Sequence, residues 1–215
     1  MLTPVPLALI SANSEVVPAF SRYKFPPRTR MNRRDLLLRS AGLGVFFWLP
    51  KTARALGGQA PALNTTAPNF KLEGTRLTDE LSKPWSLTDF AGRWLVLYFY
   101  PRDFTSGCTI EAHGFQSLNQ DFEQSNASIV GVSADGVEDH ASFCSSEALD
   151  YLLLSDPDGT VSKAYGSWMA PYSMRHTFLI DPSGVIRERW TGVRPTGHAQ
   201  EVMERLKQLQ SEASI

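Results

Sequence analysis

Two cysteines, Cys108 and Cys144, lie 36 residues apart in this 215-residue chain, and the first is placed to be reactive. Cys108 follows a run of seven apolar residues, Trp94-Leu-Val-Leu-Tyr-Phe-Tyr100, broken at Pro101, and it opens a helical pattern. A buried strand that delivers a cysteine to a helix N-terminus sets the sulfur against unpaired backbone N–H groups and the positive end of the dipole. That setting favours the thiolate, which is the nucleophile. The segment between reads Pro101-x-x-x-Thr105-x-x-Cys108. Pro101 fixes the backbone and withholds an N–H where the chain leaves the strand, while the Thr105 hydroxyl both donates and accepts. These are roles suited to handling a peroxide.

The elements that must position these groups can be read from periodicity. Residues 56 to 75 read as a flexible lead-in, with Asn69 to Glu73 a short first strand. Ser86 to Phe90 suggests a turn of helix or a tight loop before the buried strand 94 to 100. Phe115, Leu118 and Phe122 share one face of a helix from about Cys108 to Glu123. Strand 129 to 134, a helix over 138 to 149 and strand 152 to 154 follow, closed by the turn signal Ser155-Asp-Pro-Asp-Gly159. Thr177 to Ile180 and Val185 to Trp190 flank Asp181-Pro-Ser-Gly184 as a hairpin, and Val202, Leu206 and Leu209 mark a final amphipathic helix. The order is that of an α/β protein with a mixed central sheet flanked by helices.

Pro-x-x-x-Thr-x-x-Cys resembles the active-site signature of the peroxiredoxins. Phe99-Tyr100-Pro101 before it and Gly107-Cys-Thr-Ile-Glu-Ala112 after it are similar to the peroxiredoxin Q, or bacterioferritin comigratory protein, branch. Ser86-Leu-Thr-Asp-Phe90, Leu153-Leu-Ser-Asp156 and Arg175-His-Thr-Phe-Leu-Ile-Asp-Pro-Ser-Gly184 extend the resemblance over roughly 65 to 210. It implies a thioredoxin fold and a thiol-dependent peroxidase that reduces hydrogen peroxide and organic hydroperoxides through a cysteine sulfenic acid. It also implies a thioredoxin-like thiol donor, no cofactor, and a monomer. Cys108 is then the nucleophile, Thr105 and the N–H groups around Cys108 bind peroxide oxygens, Pro101 shields the site, and Arg175 holds the thiolate and the transition state.

Many relatives place a second, resolving cysteine five residues after the first, where this chain has His113. Others carry it on the helix after the next strand, the place of Cys144 in His140-Ala-Ser-Phe-Cys144. Two readings stay open: Cys144 condenses with the sulfenic acid to a disulfide, or the enzyme uses Cys108 alone. A metal site is disfavoured, because the cysteines are far apart and His113, His140, His176 and His198 are scattered. His113 and His176 read as solvated or packing residues, and Glu111, in the first helical turn, as a dipole partner or supporting group.

The first 55 residues differ in composition, with nine Lys or Arg against Glu15 and Asp35. Asn32-Arg-Arg-Asp-Leu-Leu-Leu38, an apolar stretch from Ala41 to Leu49 and Ala53-Arg-Ala55 have the layout of a twin-arginine signal peptide. This points to export to a periplasm or thylakoid lumen, with no membrane insertion after cleavage. Met31 is either the true start, or residues 1 to 30 are an added, organellar-type extension. Residues 56 to 215 are then the domain that resembles the peroxiredoxins, with 12 basic and 20 acidic residues and a net charge of −8, which disfavours nucleic acid as a partner. Two other classes compete with a peroxidase, an exported thiol-disulfide exchange protein and a disulfide-stabilised binding module. The first lacks a Cys-x-x-Cys pair, and the second has no need of Thr105 and Arg175.

Overall fold

Trp94–Phe99 is a strand with two apolar faces, and all six residues are buried. Trp94, Val96 and Tyr98 turn to one side and Leu95, Leu97 and Phe99 to the other, so this strand needs cover on both faces. A computed structural model describes residues 57–77 and 83–213 and shows how the cover is built. These residues lie in one unit, Lys51–Ile215; the signal-peptide reading of residues 1 to 55 lies outside them.

In chain order the elements are β1 (Lys71–Thr75), β2 (Lys83–Ser86), a 3-10 turn (Leu87–Phe90), β3 (Trp94–Phe99), α1 (Ser106–Ser117), α2 (Asn119–Gln124) and β4 (Ala127–Ser133). Then come α3 (Val137–Glu147), β5 (Leu152–Ser155), α4 (Thr160–Ala164), β6 (Trp168–Met169), β7 (Tyr172–Ser173), β8 (His176–Ile180), β9 (Ile186–Thr191) and α5 (His198–Ala213). Seven strands form one sheet in the order β2-β1-β5-β4-β3-β8-β9. Its centre, β3, β4 and β5, is parallel, and the outer strands join antiparallel. The expected mixed sheet flanked by helices is therefore present. Phe115 of α1, Phe122 of α2, Phe143 of α3 and Val202 and Leu206 of α5 cover one face, and Val161 of α4, Tyr165 and Phe90 pack on the other.

The topology brings the reactive segments to one edge. In a parallel sheet the loops at the carboxyl ends of the strands form the ligand crevice. Tyr100 still donates its N–H to Val132 at 3.0 Å, and the chain then leaves the ladder at Pro101. Because β8 runs antiparallel to β3 with His176 opposite Phe99, Arg175 enters at the same edge from the other side.

Two expectations change, and four elements are new. The helix expected over 108 to 123 is two helices. Leu118 departs from helical geometry at ψ 5°, where the Ser117 hydroxyl bonds back to the Gly114 carbonyl at 2.8 Å and the Asn119 amide is drawn to the Asp150 carbonyl at 3.3 Å. Phe115 and Phe122 still reach one core. The lead-in is not free, since the Asn64 and Ala67 N–H groups bond to the Ile186 and Gly184 carbonyls at 2.8 and 2.9 Å, and Phe70 is buried. Finally, β2, α4 and the small hairpin of β6 and β7 were not legible. The first turn of α4 is held by the Asp156 carboxylate, which accepts from Val161 and Ser162 N–H at 3.2 and 2.7 Å. Among the described residues no helix is long and apolar enough to cross a membrane.

Candidate active site

Thr105 is the N-cap of α1, with extended backbone at φ −88° and ψ 140°. A threonine there commonly bonds the backbone of the first turn, but this side chain makes no such bond. Its Oγ1 lies 2.8 Å from Cys108 Sγ and 3.0 Å from the Arg102 carbonyl. Cys108 is the third residue of α1, so the helix starts two residues earlier than expected while the sulfur remains in its first turn. From its place just before β8, Arg175 Nη2 donates to the same sulfur at 3.1 Å. Two donors, one of them a cation, therefore converge on a residue that is 2% exposed, an arrangement that suits a sulfur anion. Pro101 is half-buried at the end of β3.

Arg175 is held in turn by Glu111. Its Nη1 donates to Glu111 Oε2 at 2.5 Å, and Glu111 is 1% exposed. The planar guanidinium fork thus spans sulfur and carboxylate at once, which an ammonium would not do as well. Glu111 lies in the second turn of α1, not the first, so of its two expected roles the supporting one, holding Arg175, fits the geometry and the dipole role does not. Gly107 leaves the room: a Cβ there would stand 2.8 Å from Arg175 Nη2.

Glu111 Oε1 has no hydrogen-bond partner. Burial pushes the Glu111 carboxyl up from its ordinary 4.5 to about 7, against the pull of Arg175. A carboxyl that binds its proton more tightly when folded adds stability below its unfolded pKa and loses it as the pH rises through the folded one. Between pH 4.5 and 7 the wild type is expected to lose up to about 3 kcal/mol relative to Glu111→Gln, which has no such proton. Chemical denaturation of both proteins across that range checks it; parallel stability curves would show that Glu111 titrates normally.

The histidines separate clearly. His113 is exposed and pairs with Glu147 of α3 at 2.7 Å. His176 is buried, and burial lowers its pKa. His198 is buried with Nε2 2.8 Å from Thr177 Oγ1, and burial lowers its pKa as well. His140 is fully buried, with Nδ1 2.7 Å from Asp103 Oδ2. Of these, the places of His140 and His198 escaped the reading of the sequence. For His140 a signal could have found it, since His140, Phe143 and Cys144 form an i, i+3, i+4 stripe, and all three are buried.

Cys144 lies in α3, fully buried in the cluster that also contains Cys108, and both are free thiols. Burial, with the Asp103 charge adding to it, pushes the Cys144 thiol up to about 12. The structure therefore brings Pro101, Thr105, Cys108 and Arg175 to one edge, and it keeps Cys144 protonated inside the core.

Comparison with known proteins decides the family. The AhpC/TSA family matches residues 63–189, a span that contains all five of these residues. A Helicobacter pylori protein named putative peroxiredoxin bcp is 40% identical over 149 residues, covering 65% of this chain and 94% of its own length. The chain belongs to the peroxiredoxins. The solved structure of a serine mutant of Xylella fastidiosa PrxQ is 36% identical with a TM-score of 0.65, covering 71% of this chain and 99% of that one. Peroxiredoxin Q from Xanthomonas campestris gives 34%, 0.59, 64% and 89% respectively. The fold of this peroxiredoxin is accordingly the thioredoxin fold, and its activity is that of a thiol-dependent peroxidase.

Proposed function

We propose that this peroxiredoxin is an exported, monomeric peroxidase of two cysteines, in which Cys108 reacts with peroxide and Cys144 resolves the product. The observation that carries the proposal is the convergence of Thr105 Oγ1 and Arg175 Nη2 on Cys108 Sγ, at 2.8 and 3.1 Å. The thiolate attacks one oxygen of ROOH, the O–O bond breaks, and the departing RO⁻ takes a proton to leave as alcohol or water. Cys108 becomes a sulfenic acid. Thr105 and Arg175 stay aimed at the charge as it moves from sulfur to the leaving oxygen. The Cys144 thiol then displaces hydroxide from the sulfenic sulfur, giving a disulfide and water, and a thioredoxin-like dithiol exchanges with that disulfide and is itself oxidised.

Alkyl hydroperoxides join hydrogen peroxide as substrates in this reading, supported by a Xanthomonas campestris bacterioferritin comigratory protein described by its alkyl peroxide reduction activity. For Cys144 the support is spacing. Peroxiredoxin Q structures from the same organism include serine mutants of two different cysteines 36 positions apart, the separation of Cys108 and Cys144 here. Stoichiometric peroxide should convert the reduced chain to an intramolecular Cys108–Cys144 disulfide, seen by non-reducing peptide mapping. Cys144→Ser should accumulate sulfenic acid and overoxidise at lower peroxide doses. An oxidised wild type without this bond, together with normal turnover of Cys144→Ser on a thioredoxin-type donor, would make the enzyme a one-cysteine peroxidase.

Export rests on Arg33-Arg34 and the apolar stretch that follows. Replacing both by lysine should trap precursor, and fractionation of the wild type should recover a chain that begins near Gly57 or Gln59. An intact N-terminus on a cytosolic protein would remove the export proposal.

A further inference from the structure

Asp103 and Phe104, midway along the loop from Pro101 to Thr105, both grip helix α3 within a turn of Cys144. Asp103 is 4% exposed; its Oδ2 lies 2.7 Å from His140 Nδ1, and its Oδ1 accepts the Tyr100 hydroxyl at 2.7 Å. His140 Nε2 lies 3.2 Å from the Leu154 carbonyl, so both ring nitrogens have a polar neighbour. The Asp103 N–H is fixed by Asp135 Oδ2 at 2.9 Å, and Arg102 stands 3.7 Å from Asp135 Oδ1. One residue further on, Phe104 adopts φ +57°, a region that a bulky residue rarely occupies. Its ring packs edge-on against Phe143 with centroids 5.1 Å apart, although Phe104 itself is 56% exposed. Residues 140 and 143 are neighbours on one face of α3, and Cys144 is next to them.

The chemistry proposed above requires this arrangement to open. Cys144 is fully buried and protonated, while Cys108 is held by Thr105 and Arg175 at its helix N-terminus. A disulfide needs the two sulfurs in bonding contact with suitably placed backbones, and both thiols are free here. The step between is a local departure of loop and helix from one another. Whatever delays it fixes how long the sulfenic acid waits, exposed to a second peroxide.

We propose that the Asp103–His140 pair, with Phe104 seated on Phe143, is a clasp that holds the Cys108 loop to the Cys144 helix and sets the rate at which disulfide formation competes with overoxidation. Asp103 and His140 are positioning residues in this role; they do not touch the reacting sulfur. The proposal rests on Cys144 resolving the sulfenic acid, and its test separates the two.

The reduced chain is cycled with a thioredoxin-type donor and graded hydrogen peroxide, and mass spectrometry reads Cys108 as disulfide or sulfinic acid. In His140→Phe the peroxide dose that overoxidises half of Cys108 should rise about tenfold, the factor that follows from losing one hydrogen bond to a charged group. The initial rate of Cys108 oxidation should not change. Asp103→Asn keeps the shape of the loop and should move the dose in the same direction, so the test does not depend on His140→Phe folding. Ile186→Ala, a core change in β9 on the opposite face of the sheet from Cys108 and Cys144, controls for general destabilisation and should leave the dose where it was. A wild type that forms the disulfide, with an unmoved dose in both clasp variants, overturns the clasp alone. A wild type that never forms it sinks the role of Cys144 instead.

Discussion

Replacing Cys108 by serine is expected to abolish peroxide turnover while leaving the fold in place. Serine matches the cysteine in shape, and the site is 2% exposed, so α1 and its neighbours have no reason to move. What changes is the nucleophile. A hydroxyl does not ionise at neutral pH as a thiol does, and Thr105 and Arg175 would then face a neutral oxygen that does not attack an O–O bond. The loss should be at least about 10³-fold, as for other enzymes stripped of their nucleophile. Peroxide consumption with a thiol donor, alongside circular dichroism to show a folded protein, is the measurement. Full turnover by Cys108→Ser would refute the mechanism outright.

Arg175→Ala is expected to slow the oxidation of Cys108 by about 10²- to 10³-fold, the cost of removing one preorganised donor from a developing charge. The variant also strands Glu111, which is 1% exposed and has Arg175 as its partner, so stability should fall as well. The two effects can be separated. Arg175→Ala combined with Glu111→Gln removes the stranded carboxyl and should recover stability without recovering rate. Arg175→Lys keeps a cation but cannot reach both Sγ and the carboxylate with one planar fork, so it should fall between wild type and alanine. Stopped-flow oxidation of Cys108 in all three variants, with thermal melts, decides the matter. An unchanged rate in Arg175→Ala would return that residue to the surface.

The fold and the centre of the site were legible for one reason: the signals were local. The seven-residue apolar run gave β3, its break at Pro101 gave the edge of the sheet, and Thr105 and Cys108 lay within the next turn. Arg175 needed more than local signal, because its approach depends on the register that pairs His176 with Phe99; the resemblance supplied it. What stayed hidden was set by contacts across the chain. Nothing in the sequence next to Asp103 announces that its partner is His140, 37 residues on. Nothing in the sequence around Gly107 tells that a Cβ there would stand against the Arg175 guanidinium. The break at Leu118 was missed because Phe115 and Phe122 keep one face through it, and periodicity records faces rather than backbone continuity.

The docked lead-in bears on how a signal peptide would be removed. The Gly57 carbonyl accepts the Trp168 N–H at 3.4 Å, and Gly166 is a glycine against the backbone of Gln59 and Ala60, where a Cβ would come within 2.4 Å of the Ala60 nitrogen. A cut after Ala55 would leave only Leu56 ahead of the first docked residue. A peptidase that threads an extended stretch on both sides of the scissile bond would have to peel that stretch away from the hairpin of β6 and β7. Processing would then report on the folded domain itself: the tighter the lead-in holds, the slower the precursor matures, and a change at Gly166 that loosens it would show first as faster trimming.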